Sequence, residues 1–284
     1  MKLNKQFTAI AKFVTVSDLA KEMMNYKKSL AFIGLITSST LALSSNPAQA
    51  FNFTTKTDLG TCSTLVDSFS PSGVDQSKLS NCKTADGFTL TPGPEGKQLQ
   101  GKTVNKVNGV GVSGVVPSDT IDAVHGEVDY KESIKLTLPN PGDVLTSIGL
   151  SFLFQPKVFA DQVYEAVKIK TDTGLEGILK ITGNASATWS YLSNAVSSVT
   201  NISPSTGKGG GYYDITNPFG NARFDFLTLT PVTDGSVAFN SSANSDFALT
   251  HATATSVPEP TTLAGLGLVG GLLLATRRRK AIQS

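Results

Sequence analysis

The chain has only two cysteines and two histidines in 284 residues. Cys62 and Cys82 have no histidine near them in sequence, so they do not fill the four-ligand shell of a structural zinc. No G-x-S-x-G elbow is present to place a nucleophilic serine. His125 and His251 therefore read as lone exposed histidines. Gly207-Lys208-Gly209-Gly210-Gly211 lacks the G-x-x-x-x-G-K-[ST] order of a phosphate loop and reads as a flexible loop. No acidic stretch has EF-hand spacing, and there is no internal repeat. Long amphipathic helical patterns are missing from the middle of the chain.

Positive charge is also scarce where a binding domain would need it. The whole chain carries a formal +2. Residues 51 to 257, however, hold 14 Lys and Arg against 19 Asp and Glu, which is −5 with His neutral. The excess cations sit in the two ends. An acidic middle argues against a nucleic-acid partner, which takes a basic patch on the domain itself.

What is present in the middle is period-two alternation. Val104 to Val112 reads as one strand thinned by glycines. Ser133 to Leu138 alternates and stops at Pro139-Asn140-Pro141-Gly142. Val144 to Phe154 alternates again. Glu165 to Lys170 and Gly177 to Thr182 flank Thr173-Gly174 as a hairpin. Ala187 to Leu192 carries the only tryptophan. Ala222 to Thr230 sends Phe224, Phe226 and Leu227 or Leu229 toward a core, and Asp246 to Thr250 is a last strand. Residues 68–86 and 200–211 read as exposed loops, and Phe159 to Val167 as a helical turn or irregular connection. About eight to eleven short strands with frequent turns predict an all-β, jelly-roll-like β-sandwich over residues 51–256.

Three constellations deserve a chemical reading. Cys62 and Cys82 form a disulfide if the chain is exported. Asp119, Asp122, Glu127, Asp129 and Glu132 offer hard oxygen ligands for Ca²⁺, or equally a solvated polar strand edge. Beyond that Ca²⁺, no cofactor is expected. Trp189, Tyr212 and Tyr213 offer rings for stacking on sugars, or equally core and edge aromatics of a sandwich. Carboxylate pairs for glycoside hydrolysis are a matter of spatial separation, and no pair stands out in sequence.

The ends read as targeting segments. From Met24 the sequence has Lys27 and Lys28, an apolar stretch from Leu30 to Leu43, and an A-x-A site at Ala48-Gln49-Ala50. That is a signal peptide, residues 24–50, with cleavage after Ala50. Residues 1–23 precede a complete signal, so they are either a long leader or lie upstream of the true start at Met23 or Met24. At the other end, residues 257–284 hold Pro258-Glu259-Pro260, an uncharged apolar run and the cations Arg277, Arg278, Arg279 and Lys280. In a bilayer such a run is a helix. Residues 261–276 would span roughly 24 Å, which suits a thin membrane, and the basic residues 277–284 would stay cytoplasmic.

This order closely resembles the PEP-CTERM sorting signal of Gram-negative bacteria. The resemblance covers about a tenth of the chain and implies a delivery route, with no activity attached. It implies recognition by the membrane protease-transpeptidase exosortase, a membrane-anchored precursor, removal of the tail near the motif, and export in company with exopolysaccharide or retention at the surface. The expectation is thus an exported, non-enzymatic surface or matrix protein. A Ca²⁺-dependent carbohydrate-binding jelly roll is the alternative, and an extracellular polysaccharide hydrolase comes third.

Overall fold

The computed structural model describes residues 47–66, 73–113, 126–129, 131–158, 162–191, 197–203, 211–232 and 245–257. The expected leader, most of the signal peptide, Asp119, Asp122, His125, the Gly207–Gly210 stretch and the tail from Pro258 onward lie outside them. Among the described residues no helix is long and apolar enough to cross a membrane.

Alternating sequence becomes alternating burial. In Ser133–Thr137, Ile134 and Leu136 are fully buried while Lys135 is exposed. Successive side chains of a strand point to opposite faces, so every second apolar residue reaches the same core. The described residues form fifteen strands, of which β4, β7, β10 and β14 show the rule most plainly: β1 (Gln49–Asn52), β2 (Gly73–Leu79), β3 (Cys82–Lys83), β4 (Thr89–Gly93), β5 (Leu99–Val104), β6 (Val107–Val112), β7 (Ser133–Thr137), β8 (Val144–Leu153), β9 (Ala166–Thr171), β10 (Glu176–Gly183), β11 (Ser186–Tyr191), β12 (Ser198–Asn201), β13 (Gly211–Thr216), β14 (Phe226–Pro231) and β15 (Ala248–Thr255). A 3-10 turn, Gly60–Leu65, precedes β2.

The strands form two antiparallel sheets. One has the order β12-β13-β8-β15-β6-β5-β2, with β1 also on β15; the other is β11-β10-β9-β14-β7-β4-β3. Leu145, Ile148, Leu150, Tyr213, Ile215 and Leu249 from the first sheet meet Ile134, Leu136, Ile169, Leu179, Leu227 and Leu229 from the second in one buried cluster. This is a two-layer all-β architecture, consistent with a β-sandwich. Strands β6 to β9 switch sheets at every step, as do β13, β14 and β15.

Four local expectations change. Val104 to Val112 is not one strand: Asn105 (φ 52) and Lys106 (φ 68) form a turn between β5 and β6. Two consecutive positive φ values mark the type I′ turn whose twist suits a two-residue hairpin. Residues 68–86 are not simply a loop, since they contain β2 and β3, and β12 occupies Ser198–Asn201. Phe226 does not face the core. Leu227 and Leu229 point inward, so period two turns Phe226 outward, where the Lys135 ammonium lies 3.7 Å from its ring centroid. The last strand is longer than expected and runs on to Thr255.

Both described chain ends lie at one pole. Gln49 pairs opposite Ala254, and Thr255 pairs opposite Val144. The Ala50 N–H donates to Asp86 Oδ2 at 2.9 Å. The same pole gathers residues 138–143, 171–175 and 217–225. Gly142 N–H donates to Asp225 Oδ1 at 2.9 Å, Asp225 N–H reaches the Asp172 carboxylate at 3.3 Å, and Val144 bridges Arg223.

Candidate functional site

The outward face of the β13-β8-β15 ladder carries a polar cluster that the sequence did not announce. Register brings its members together: Asp214 of β13 pairs with Gly149 of β8, and Gly149 pairs in turn with His251 of β15. Gly149 has no side chain between them. A Cβ there would sit 2.0 Å from His251 Nδ1, so glycine is what lets the imidazole lie across β8. His251 Nε2 is 2.8 Å from Asp214 Oδ1. Ser147 Oγ donates to the same carboxylate oxygen at 2.5 Å and stands 3.1 Å from His251 Nε2. Tyr212 Oη is 3.1 Å from His251 Nδ1, and Thr216 Oγ1 donates to Asp214 Oδ2 at 3.2 Å.

The electrostatics follow the contacts. Burial pushes the Asp214 carboxyl up, but hydrogen bonds from His251 and Ser147, the His251 charge and the Thr216 hydroxyl outweigh it. Asp214 is therefore held below its ordinary carboxylate value. Burial raises the Tyr212 phenol; hydrogen bonds to Thr250 and Thr54 oppose this, and the nearby Asp214 charge adds to it.

Ser, His and Asp in contact invite comparison with a hydrolase triad. In a triad the carboxylate holds one ring nitrogen while the serine meets the other. Here Asp214 and Ser147 crowd the same nitrogen, Nε2, and Ser147 donates its proton to Asp214. The other nitrogen faces Tyr212. This arrangement ties three strands together. His251 is accordingly a half-buried cross-strand residue, a correction to the lone exposed histidine expected above. Period two at Ser147, Gly149 and Ser151 was the available signal; the pairing register that completes the cluster is not written in any one segment.

Of the residues expected to bind metal, Glu127, Asp129 and Glu132 are described. Glu127 pairs with the Lys102 ammonium at 2.6 Å. Glu132 is buried and accepts from the Asp129 backbone N–H at 3.2 Å. Among the described residues no group of three or more His, Cys, Asp or Glu is placed to hold a metal ion.

The aromatic residues do not share a platform. Tyr212 and Tyr213 are neighbours on β13, so they face opposite sides of the sheet. Tyr213 is fully buried in the core, and Tyr212 is engaged with His251. Trp189 belongs to the other sheet. It packs edge-on to Phe219 at 5.7 Å, and its Nε1–H donates to the Pro218 carbonyl at 2.9 Å.

Cys62 and Cys82 are joined in a buried disulfide that ties the 3-10 turn to β3.

From His251, β15 runs to Thr255, and Ser256 follows at once. The Asn140 side-chain amide donates to Ser256 Oγ at 2.9 Å and to Asp143 Oδ2 at 3.2 Å. Val257 is the last described residue and is 37 % exposed. A known motif begins here: residues 256–280 match the family model of the PEP-CTERM protein-sorting motif. The chain carries a PEP-CTERM sorting motif. Pro258, Glu259, Pro260, Arg277, Arg278 and Arg279 all fall inside the match. The motif marks an exported precursor that exosortase recognises and that is anchored in a membrane. No curated protein and no solved structure matches the chain significantly.

Proposed function

We propose that the chain is an exported, non-enzymatic jelly-roll protein of the cell surface or extracellular matrix, processed by exosortase. The observation that carries this reading is the junction at Ser256. The last strand of the domain passes into the sorting motif without an intervening linker, so domain and signal form one delivered unit. Two further observations support it. The sheet switching of β6 to β9 and β13 to β15 supports the jelly-roll reading. The Ser147–Asp214–His251 cluster has its polar atoms committed to one another, which favours a structural role. Association with exopolysaccharide rests on the sorting motif alone.

The test compares the same strain with and without exosortase. With the enzyme present, the membrane-bound precursor should give way to a shorter, tail-free product. The same size and the same membrane fraction in both strains would overturn the processing claim. Ala substitution of Pro258, Glu259 and Pro260 together should reproduce the exosortase-free pattern.

A further inference from the structure

We infer that the pole built from residues 138–143, 171–175 and 217–225 is the surface that lies against the bilayer while the precursor is anchored. The inference rests on the anchoring reading above and adds which face of the domain meets the membrane.

Three observations carry it. First, Ser256 is fixed to this pole. Its hydroxyl accepts from Asn140, whose amide is held in turn by Asp143. Second, the remaining tether is short. Five residue steps separate Ser256 from Thr261, where the apolar run begins. At ~3.6 Å per step the fully extended chain reaches no more than about 18 Å. The interfacial layer on one side of a bilayer takes about 5–7 Å of this, so the pole stands within about 13 Å of the lipid surface. Third, β1 enters at the same pole, with Gln49 opposite Ala254 and Ala50 bonded to Asp86. The described chain thus begins and ends at this pole.

The chemistry of the pole adds a sign. Its exposed charges are Asp172, Asp225 and Arg223, with Asp86 half-buried beside β1. At a separation near one Debye length, about 8 Å at physiological salt, these charges feel the lipid headgroups. The acidic excess is tolerated beside a zwitterionic surface and repelled by an anionic one.

The test uses the full chain reconstituted in phosphatidylcholine vesicles that carry a headgroup quencher. One fluorophore is attached at Asn221→Cys, with Pro141→Cys as a second pole position, or at Asn184→Cys. Asn184 follows the eight residues of β10, Glu176–Gly183, so it lies about 23 Å farther from the pole. Quenching should be several-fold stronger at Asn221 and Pro141 than at Asn184. It should weaken at the pole when anionic lipid is added at low salt, and recover at high salt. Equal quenching at all three positions in a chain that co-floats with the vesicles would overturn the inference and leave the anchoring reading intact. A chain that does not float with the vesicles would overturn the anchoring reading, and this inference with it.

Discussion

Replacing Gly149 by alanine should destabilise the domain through one residue, His251. A Cβ at position 149 would stand 2.0 Å from His251 Nδ1, 2.1 Å from Cε1 and 2.6 Å from Thr250 Oγ1. Real carbon–nitrogen contacts are never that short, so the imidazole must leave. It then loses Asp214 at 2.8 Å and Tyr212 at 3.1 Å. Overpacking in a well-filled site costs about 1–3 kcal/mol. A lost hydrogen bond to a charged group adds about 1.5–3 kcal/mol. The entropic advantage of alanine over glycine in a strand returns roughly 0.5–1 kcal/mol. The net expectation is a loss of about 2–4 kcal/mol. For a domain of this size that lowers Tm by roughly 4–16 °C. Thermal unfolding followed by circular dichroism reads it. The double variant with His251→Ala isolates the cause. With the imidazole gone, Gly149→Ala still meets the Thr250 hydroxyl at 2.6 Å and should cost about 1 kcal/mol, giving a coupling of about 1–3 kcal/mol. A neutral Gly149→Ala in the native background, or strictly additive effects in the double variant, would refute the reasoning.

Asp214 is held below its ordinary value, so its contribution is fully present above the unfolded carboxylate value of about 3.9 and is lost as pH falls through the lower folded value. Asp214→Asn should therefore flatten the acid limb of a Tm-against-pH curve below about pH 4, and an unchanged acid limb would count against the cluster. Reduction of Cys62–Cys82, whose sequence separation is 20, should cost about 3 kcal/mol, or roughly 6–12 °C in Tm with and without a thiol reductant. Leu150→Ala, at a fully buried site between Tyr213 and Leu249, should cost about 2–5 kcal/mol in chemical denaturation. N-terminal sequencing of the exported protein should find Phe51 first. Because the Ala50–Phe51 bond lies within β1, folded precursor should resist signal peptidase there while unfolded precursor is cut.

Strands were legible wherever burial is one-sided. Ser133 to Leu138 and Ala166 to Gly183 wrote their alternation plainly because one face meets the core and the other meets water. Residues 73–79 were not legible: β2 is an edge strand, paired on β5 alone. The hairpin at Asn105-Lys106 was not legible because its turn lacks glycine, while Asn108-Gly109, three residues later, lies inside β6. The disulfide was legible because an exported chain with two cysteines has one possible pairing. The His251 cluster was not, since Ser147, Asp214 and His251 are separated by 67 and 37 residues and meet only through ladder register. Tyr212 and Tyr213 misled for the complementary reason: adjacency in sequence puts two side chains on opposite faces of a sheet.

The position of β15 links the fold to the sorting signal. It is the last strand synthesised, yet it lies inside its sheet, with β8 on one side and β6 and β1 on the other. Before β15 arrives, β12-β13-β8 and β6-β5-β2 have no ladder in common among the described residues, and β1 lacks the strand it pairs with. Loop-closure entropy sets against early pairing of such distant segments, and β1 and β15 are separated by nearly the whole domain. Closure therefore waits for Ala248–Thr255, and the residue after Thr255 already belongs to the sorting motif. A closed domain thus always carries the start of its signal at its pole. The same geometry governs load. Tension from an anchor at Ser256 runs along β15 and shears its ladder, so seven pairings with β8 resist together instead of opening one by one, joined by four with β1 while Gln49 and Ala50 remain and by two once the chain starts at Phe51. The His251–Asp214 contact crosses β8 and adds β13 to that resistance, five residues before the motif begins.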